Sequence, residues 1–134
     1  MADLKEIYNL QDDISIIKHY QAASLSKDWR IGLRIEKGIL FGSDEWFSAI
    51  KSGIIKHFSV KGVISKVYMT SHNDFAQFDI ENDEGITTWI READIFLYKV
   101  GSNVELKYVE QKRKNGIVTK CVIQILQGSV NCSE

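Results

Sequence analysis

Apolar residues recur at two different periods along this chain, and the period switches near Trp29. Before it, Ile7, Leu10, Ile14 and Ile17 repeat at spacings of three, four and three, while Lys5, Asp12, Asp13 and Lys18 fall largely elsewhere. A helical period lines such positions on one face, so residues 3–26 are predicted to form a helix. Its narrow stripe either packs on the rest of the chain or pairs with a partner helix or a second copy, which makes residues 3–26 the candidate homo-oligomer contact. After Trp29, Ile31, Leu33 and Ile35 alternate with polar or small positions, as in a half-buried strand. Lys37-Gly38 reads as a turn before the short apolar return Ile39-Leu40-Phe41. Ser43 can then cap a helix whose first turn holds Asp44 and Glu45. That helix covers 44–52, with Trp46, Phe47 and Ile50 on its apolar side and Gly53 as a left-handed stop.

From Ile54 to Leu126 the period is almost continuously two. Ile54–Met69 is a long strand with a bulge or sharp bend expected at Gly62. Ser71-His72-Asn73-Asp74 forms a turn, Phe75–Ile80 a second strand, and the loop 81–85 returns the chain along Ile86–Arg91. Residues 92–102 break the alternation with Ile95, Phe96, Leu97 and Tyr98, predicting one helical turn that plugs a barrel end. Val104–Lys112 and Ile117–Leu126 pair through Lys114-Asn115-Gly116, because Asn-Gly tolerates the positive φ of a tight hairpin. Three strands, a helical turn and a hairpin are the order in which a five-stranded Greek-key barrel of the OB type closes. The predicted class is mainly β with a helical N-terminal arm (α+β): one long and one short helix, then the OB-like barrel. Residues 1–53 form the arm and cap, 54–126 the barrel and 127–134 a polar tail.

Particular segments carry a resemblance. Gly62-Val63-Ile64 opens the first barrel strand and Phe78-Asp79-Ile80 ends the second. Gly85-Ile86 and Trp89-Ile90-Arg91-Glu92 make the third, and Tyr98-Lys99-Val100-Gly101 leads to Val104 in the fourth. Through these pieces the stretch 62–125, about half the chain, resembles the ribosomal S-one RNA-binding domain, a subclass of OB-fold. The resemblance implies a barrel that binds single-stranded RNA. A histidine commonly stands in that family near the place of Trp89.

Charge gives this no general support. The chain of 134 residues has 17 Lys plus Arg against 18 Asp plus Glu, a net charge of −1, so no global field draws nucleic acid or an anionic membrane. Three Trp, five Tyr and six Phe at near-zero net charge exclude a disordered chain. The acidic start Met1–Glu6 lacks a signal-peptide core, and no run approaches a bilayer span. Cys121 and Cys132 make neither a disulfide framework nor a zinc set. The expectation is a cytoplasmic protein without cofactor or metal.

Alternation predicts the site. With Ala76, Phe78 and Ile80 inward, Phe75, Gln77 and Asp79 point out; with Ile86, Thr88 and Ile90 inward, Thr87, Trp89 and Arg91 point out. Phe75, Trp89 and Arg91, joined by Lys66 and Tyr68, would stack on bases. Lys112, Arg113 and Lys114 on the last hairpin would meet phosphates. Against this, Trp89 and Phe75 also suit an ordinary core, lysines also guard exposed strands, and the acidic loop 81–84 opposes a phosphate track. Enzymatic signals are thin: His72 and Asp74 have no third ligand at readable spacing, Cys121 has no flanking base, and no phosphate loop is present. Two functions follow: a non-enzymatic OB-like domain that binds single-stranded nucleic acid, or a protein-interaction or oligomerisation module that does not.

Overall fold

The computed structural model describes residues 4–69 and 75–130. The elements in chain order are β1 (Lys5–Asn9), a 3-10 turn (Leu10–Asp12), α1 (Ile14–Leu25), α2 (Asp44–Ser52), β2 (His57–Met69), β3 (Ala76–Asn82) and β4 (Gly85–Ile90). A further 3-10 turn (Ile95–Leu97), β5 (Ser102–Lys112) and β6 (Val118–Val130) follow among the described residues. The six strands form one sheet in the order β1-β6-β5-β2-β3-β4. The fold is mainly β with two α-helices, an α+β arrangement. β1 stands at one end of that order, beside β6, and β4 at the other, beside β3. The predicted turn Ser71–Asp74 lies outside the described residues.

The chain divides into two compact units. The first comprises Met1–Tyr8, Ser59–Leu106 and Gln124–Glu134. Its core holds Ile64, Phe78, Ile80, Trp89, Tyr98, Val104 and Ile125, all buried. Phe78 packs against Tyr98 with ring centroids 4.9 Å apart. The Tyr98 hydroxyl donates to the Glu92 carbonyl at 2.9 Å. Gly62 makes a close approach possible, since a Cβ there would stand 2.4 Å from the Glu81 carbonyl oxygen. The register irregularity falls a little later, between Ile64 and Lys66. Residues 127–130 are not tail: β6 runs through Val130. Gln127 is buried, accepting from the Lys99 N–H (3.0 Å) and donating to the Leu97 carbonyl (2.8 Å). The 3-10 turn is no plug, for Phe96 is exposed and Tyr98 enters the core instead.

The second unit comprises Asn9–Phe58 and Lys107–Ile123. The predicted 3–26 helix starts only at Ile14, because Lys5–Asn9 joins the sheet and Asp13 caps the helix, accepting from the Ile16 N–H. Asn9 caps the preceding 3-10 turn in the same way. Leu10 and Ile17 are buried while Ile14 is exposed, so the stripe does not survive as one face for pairing. α2 follows the predicted bounds, with Ser43 accepting from the Trp46 N–H and Gly53 left-handed. Trp46 is buried and its indole N–H donates to Gln111 Oε1 at 2.8 Å.

The alternating segment 31–35 forms no strand, although Leu33 is buried. Gly32 has φ +85°, and a Cβ there would stand 2.5 Å from the Ala23 backbone, so the chain turns sharply against α1. Single bonds then hold it: the Leu33 N–H donates to Ser24 Oγ, and the Arg34 N–H to the Lys112 carbonyl. The Asn115-Gly116 turn forms as the sequence predicts, with Gly116 at φ +93° and the Arg113 N–H donating to the Ile117 carbonyl.

Candidate protein-interaction face

Directly opposed residues of neighbouring strands share a sheet face, so register assigns the side chains that pair between β2, β3 and β4. Val67, Phe78 and Trp89 stand in one row, and Ile64, Ile80 and Thr87 in another, both turned to the core. The opposite face carries three rows: Val63, Glu81 and Ile86; Lys66, Asp79 and Thr88; and Tyr68, Gln77 and Ile90. Phe75 extends the β3 side of this outer face by alternation and is 60% exposed.

Asp79 organises the middle of the outer face. Its Oδ1 accepts from the Tyr68 hydroxyl at 2.9 Å and from the Thr88 hydroxyl at 2.8 Å, tying β2, β3 and β4 together through side chains. The Lys66 ammonium stands over the Tyr68 ring, 4.5 Å from its centroid. Around this polar centre lie Ile86 (60% exposed), Ile90 (38%) and Phe75, with Glu81, Asp83 and Glu84 at the hairpin end. Isolated apolar side chains around hydrogen-bonded polar groups are what a protein partner can cover.

The stacking platform predicted from the sequence is absent. Trp89 is 7% exposed, and its indole N–H donates to Thr87 Oγ1 at 2.8 Å. Arg91 is committed to the backbone: its guanidinium donates to the carbonyls of Ile95 (3.3 Å) and Tyr68 (3.1 Å). The basic hairpin is no free phosphate track either. Lys112 and Arg113 are exposed, but the Lys114 ammonium donates to the carbonyls of Ala23 (2.8 Å), Ser26 (2.6 Å) and Asp28 (3.2 Å). Those carbonyls lie at and just past the end of α1, where a cation satisfies acceptors the helix leaves open. Of the predicted set, the outer face gathers Phe75, Lys66 and Tyr68; Trp89 and Arg91 belong to the other side.

Sequence reasoning missed Ile86, Thr88 and Ile90 as outer residues. The signal that could have placed them is loop length: Asn82 opposes Gly85, so the turn is the two residues Asp83-Glu84. Reading five loop residues leaves the phase of the return strand undetermined.

The family described as Immunity protein RhsI2 matches residues 4–129, nearly the whole chain. The chain belongs to that family. This overturns the resemblance to the S-one RNA-binding domain and, with it, the reading as an RNA- or nucleic-acid-binding module. The burial of Trp89 agrees, because that reading needed the indole on the surface. No curated protein matches the chain. Among the described residues no helix is long and apolar enough to cross a membrane, and no group of three His, Cys, Asp or Glu could hold a metal ion. Burial pushes the Cys121 thiol up to about 11, the opposite of what a nucleophilic cysteine needs.

Proposed function

We propose that this chain is an immunity protein: it binds a toxin protein and silences it by occupying its surface. Membership of the RhsI2 immunity protein family over residues 4–129 carries this reading. It is also the protein-interaction alternative that the sequence left open. The action is binding without chemistry. The outer face of β2, β3 and β4 suits the task, since Phe75, Ile86 and Ile90 are exposed around the Asp79 hydrogen-bond centre. Apolar anchors beside fixed polar groups supply both burial and orientation at a protein interface.

The test is growth rescue. Cells expressing the paired toxin are expected to grow when this chain is co-expressed, and the two proteins to co-purify as a stoichiometric complex. Equal growth arrest with and without the chain would overturn the reading. Ile90→Asp, which puts a charge on the outer face, is expected to weaken rescue while leaving the melting temperature within a few degrees.

A further inference from the structure

The two strands at the ends of the sheet order differ in how they are guarded. β1, Lys5-Glu6-Ile7-Tyr8-Asn9, carries two charges, and Glu6 Oε2 accepts from Gln124 Nε2. β4, Gly85-Ile86-Thr87-Thr88-Trp89-Ile90, carries no charge and no proline. Edge strands are ordinarily blunted by charged residues, proline or bulges, because their unpaired N–H and C=O groups template another strand.

Register fixes which β4 groups point outward. Asn82 and Gly85 flank the two-residue turn, so hydrogen-bonded pairs recur at Ile80–Thr87 and Phe78–Trp89. The Arg91 N–H donates to the Ala76 carbonyl at 2.9 Å, which continues that alternation. Ile86, Thr88 and Ile90 are the intervening positions. Their backbone N–H and C=O groups therefore turn away from β3, and their side chains lie on the outer face.

We propose that the outward row Ile86, Thr88 and Ile90 accepts an extended strand of the toxin, which joins the sheet beside β4. This rests on the immunity reading. Main-chain hydrogen bonds would supply affinity, and alternate side chains packed on Ile86 and Ile90 would supply specificity. Charge selects the occupant. A second copy paired antiparallel about Thr88 would bring the Asp83-Glu84 turn of each copy towards the other's Glu92, gathering like charges at both ends of the joined strands. The incoming strand instead carries apolar or β-branched residues at alternate positions and a Lys or Arg at the end beside Asp83 and Glu84.

Amide hydrogen exchange on the full chain tests this, with the toxin identified by growth rescue as the probe. In the free chain the Ile86, Thr88 and Ile90 amides are expected to exchange fast and those of Thr87 and Trp89 slowly. Slow exchange of the first three in the free chain would show the edge already occupied and overturn the proposal. In the complex those three are expected to slow at least tenfold, and unchanged fast exchange would overturn it. Thr88→Pro deletes an outward N–H and the hydroxyl bond to Asp79 while leaving the backbone ladder to β3 in place, and is expected to weaken toxin binding on the order of tenfold or more. Thr88→Ala removes the same hydroxyl bond to Asp79 but keeps the N–H, so its loss is expected to be clearly smaller than that of Thr88→Pro, and equal losses would overturn strand addition. Native affinity in a folded Thr88→Pro chain would sink strand addition and leave the immunity reading standing; should that variant not fold, the exchange data decide. A native chain that neither binds nor neutralises any toxin removes the immunity reading itself, and this proposal with it.

Discussion

Phe78 and Trp89 stand directly opposite one another across β3 and β4, both buried on the core face of the sheet. This pair turns an aromatic read from the sequence as a base platform into a structural one. Trp89→Ala is expected to destabilise the chain by about 3–5 kcal/mol, the range for truncating a large buried aromatic. Phe75→Ala, on the exposed face, is expected to cost about 1 kcal/mol or less. Urea denaturation midpoints at constant slope measure both, and comparable losses would contradict the assignment of faces.

The Lys114 ammonium contacts three backbone carbonyls around the end of α1. Lys114→Met keeps much of the side-chain length but leaves those acceptors without their cation. The expected loss is about 2 kcal/mol, as for hydrogen bonds to a charged group. Exposed Lys112, changed the same way, is expected to lose less than about 0.5 kcal/mol. Thermal unfolding of the two variants makes the comparison.

Much of the β-rich fold was legible because local signals and tertiary structure agree. Ser43 and Gly53 bound α2, and Asn115-Gly116 makes its hairpin, since capping and positive φ are decided within a few residues. Where the reading failed, a distant contact outweighed a local period. Lys5–Asn9 has helical spacing yet becomes a strand by joining the sheet, and Ile31–Ile35 alternates yet bends at Gly32 against Ala23. The outer face was half legible. β3 carries unmistakable inward residues in Phe78 and Ile80, whereas β4 has apolar residues on both sides, Ile86 and Ile90 against Trp89. Only the register with β3 chooses between them.

Gly62 has an ordinary φ, so its role is space alone. A methyl group there would meet the Glu81 carbonyl at 2.4 Å and Ile80 Cγ2 at 2.9 Å. Gly62→Ala is expected to push β2 from β3 and cost about 1–3 kcal/mol, as overpacking does. Gly38→Ala tests a different origin, because nothing lies within 4 Å of its Cβ position and its cost comes only from φ +71°. Comparing the outer-face signals of Asp79 and Thr88 in NMR spectra separates the two: only Gly62→Ala is expected to move them.

Half-buried Cys121 and buried Tyr98 are expected to make the fold sensitive to alkali. Burial raises the Cys121 thiol from an ordinary 9.0 to about 11 and pushes the Tyr98 phenol upward as well. Both groups are neutral when protonated, and the folded state holds the proton more tightly than the unfolded chain. Their contribution to stability is therefore fully present below the unfolded-state pKa and is lost as pH rises through the folded one. For Cys121 that window runs from about 9 to about 11. Unfolding free energy measured by urea is expected to fall across it, and Cys121→Ala is expected to flatten that slope while leaving the Tyr98 decline at higher pH. At pH 8 the thiolate fraction in the folded chain is on the order of 0.1%, so alkylation by iodoacetamide is expected to be far slower than for an unfolded cysteine. Rapid labelling of Cys121 in the folded protein, or a stability curve that rises between pH 9 and 11, would contradict the burial that keeps this thiol protonated.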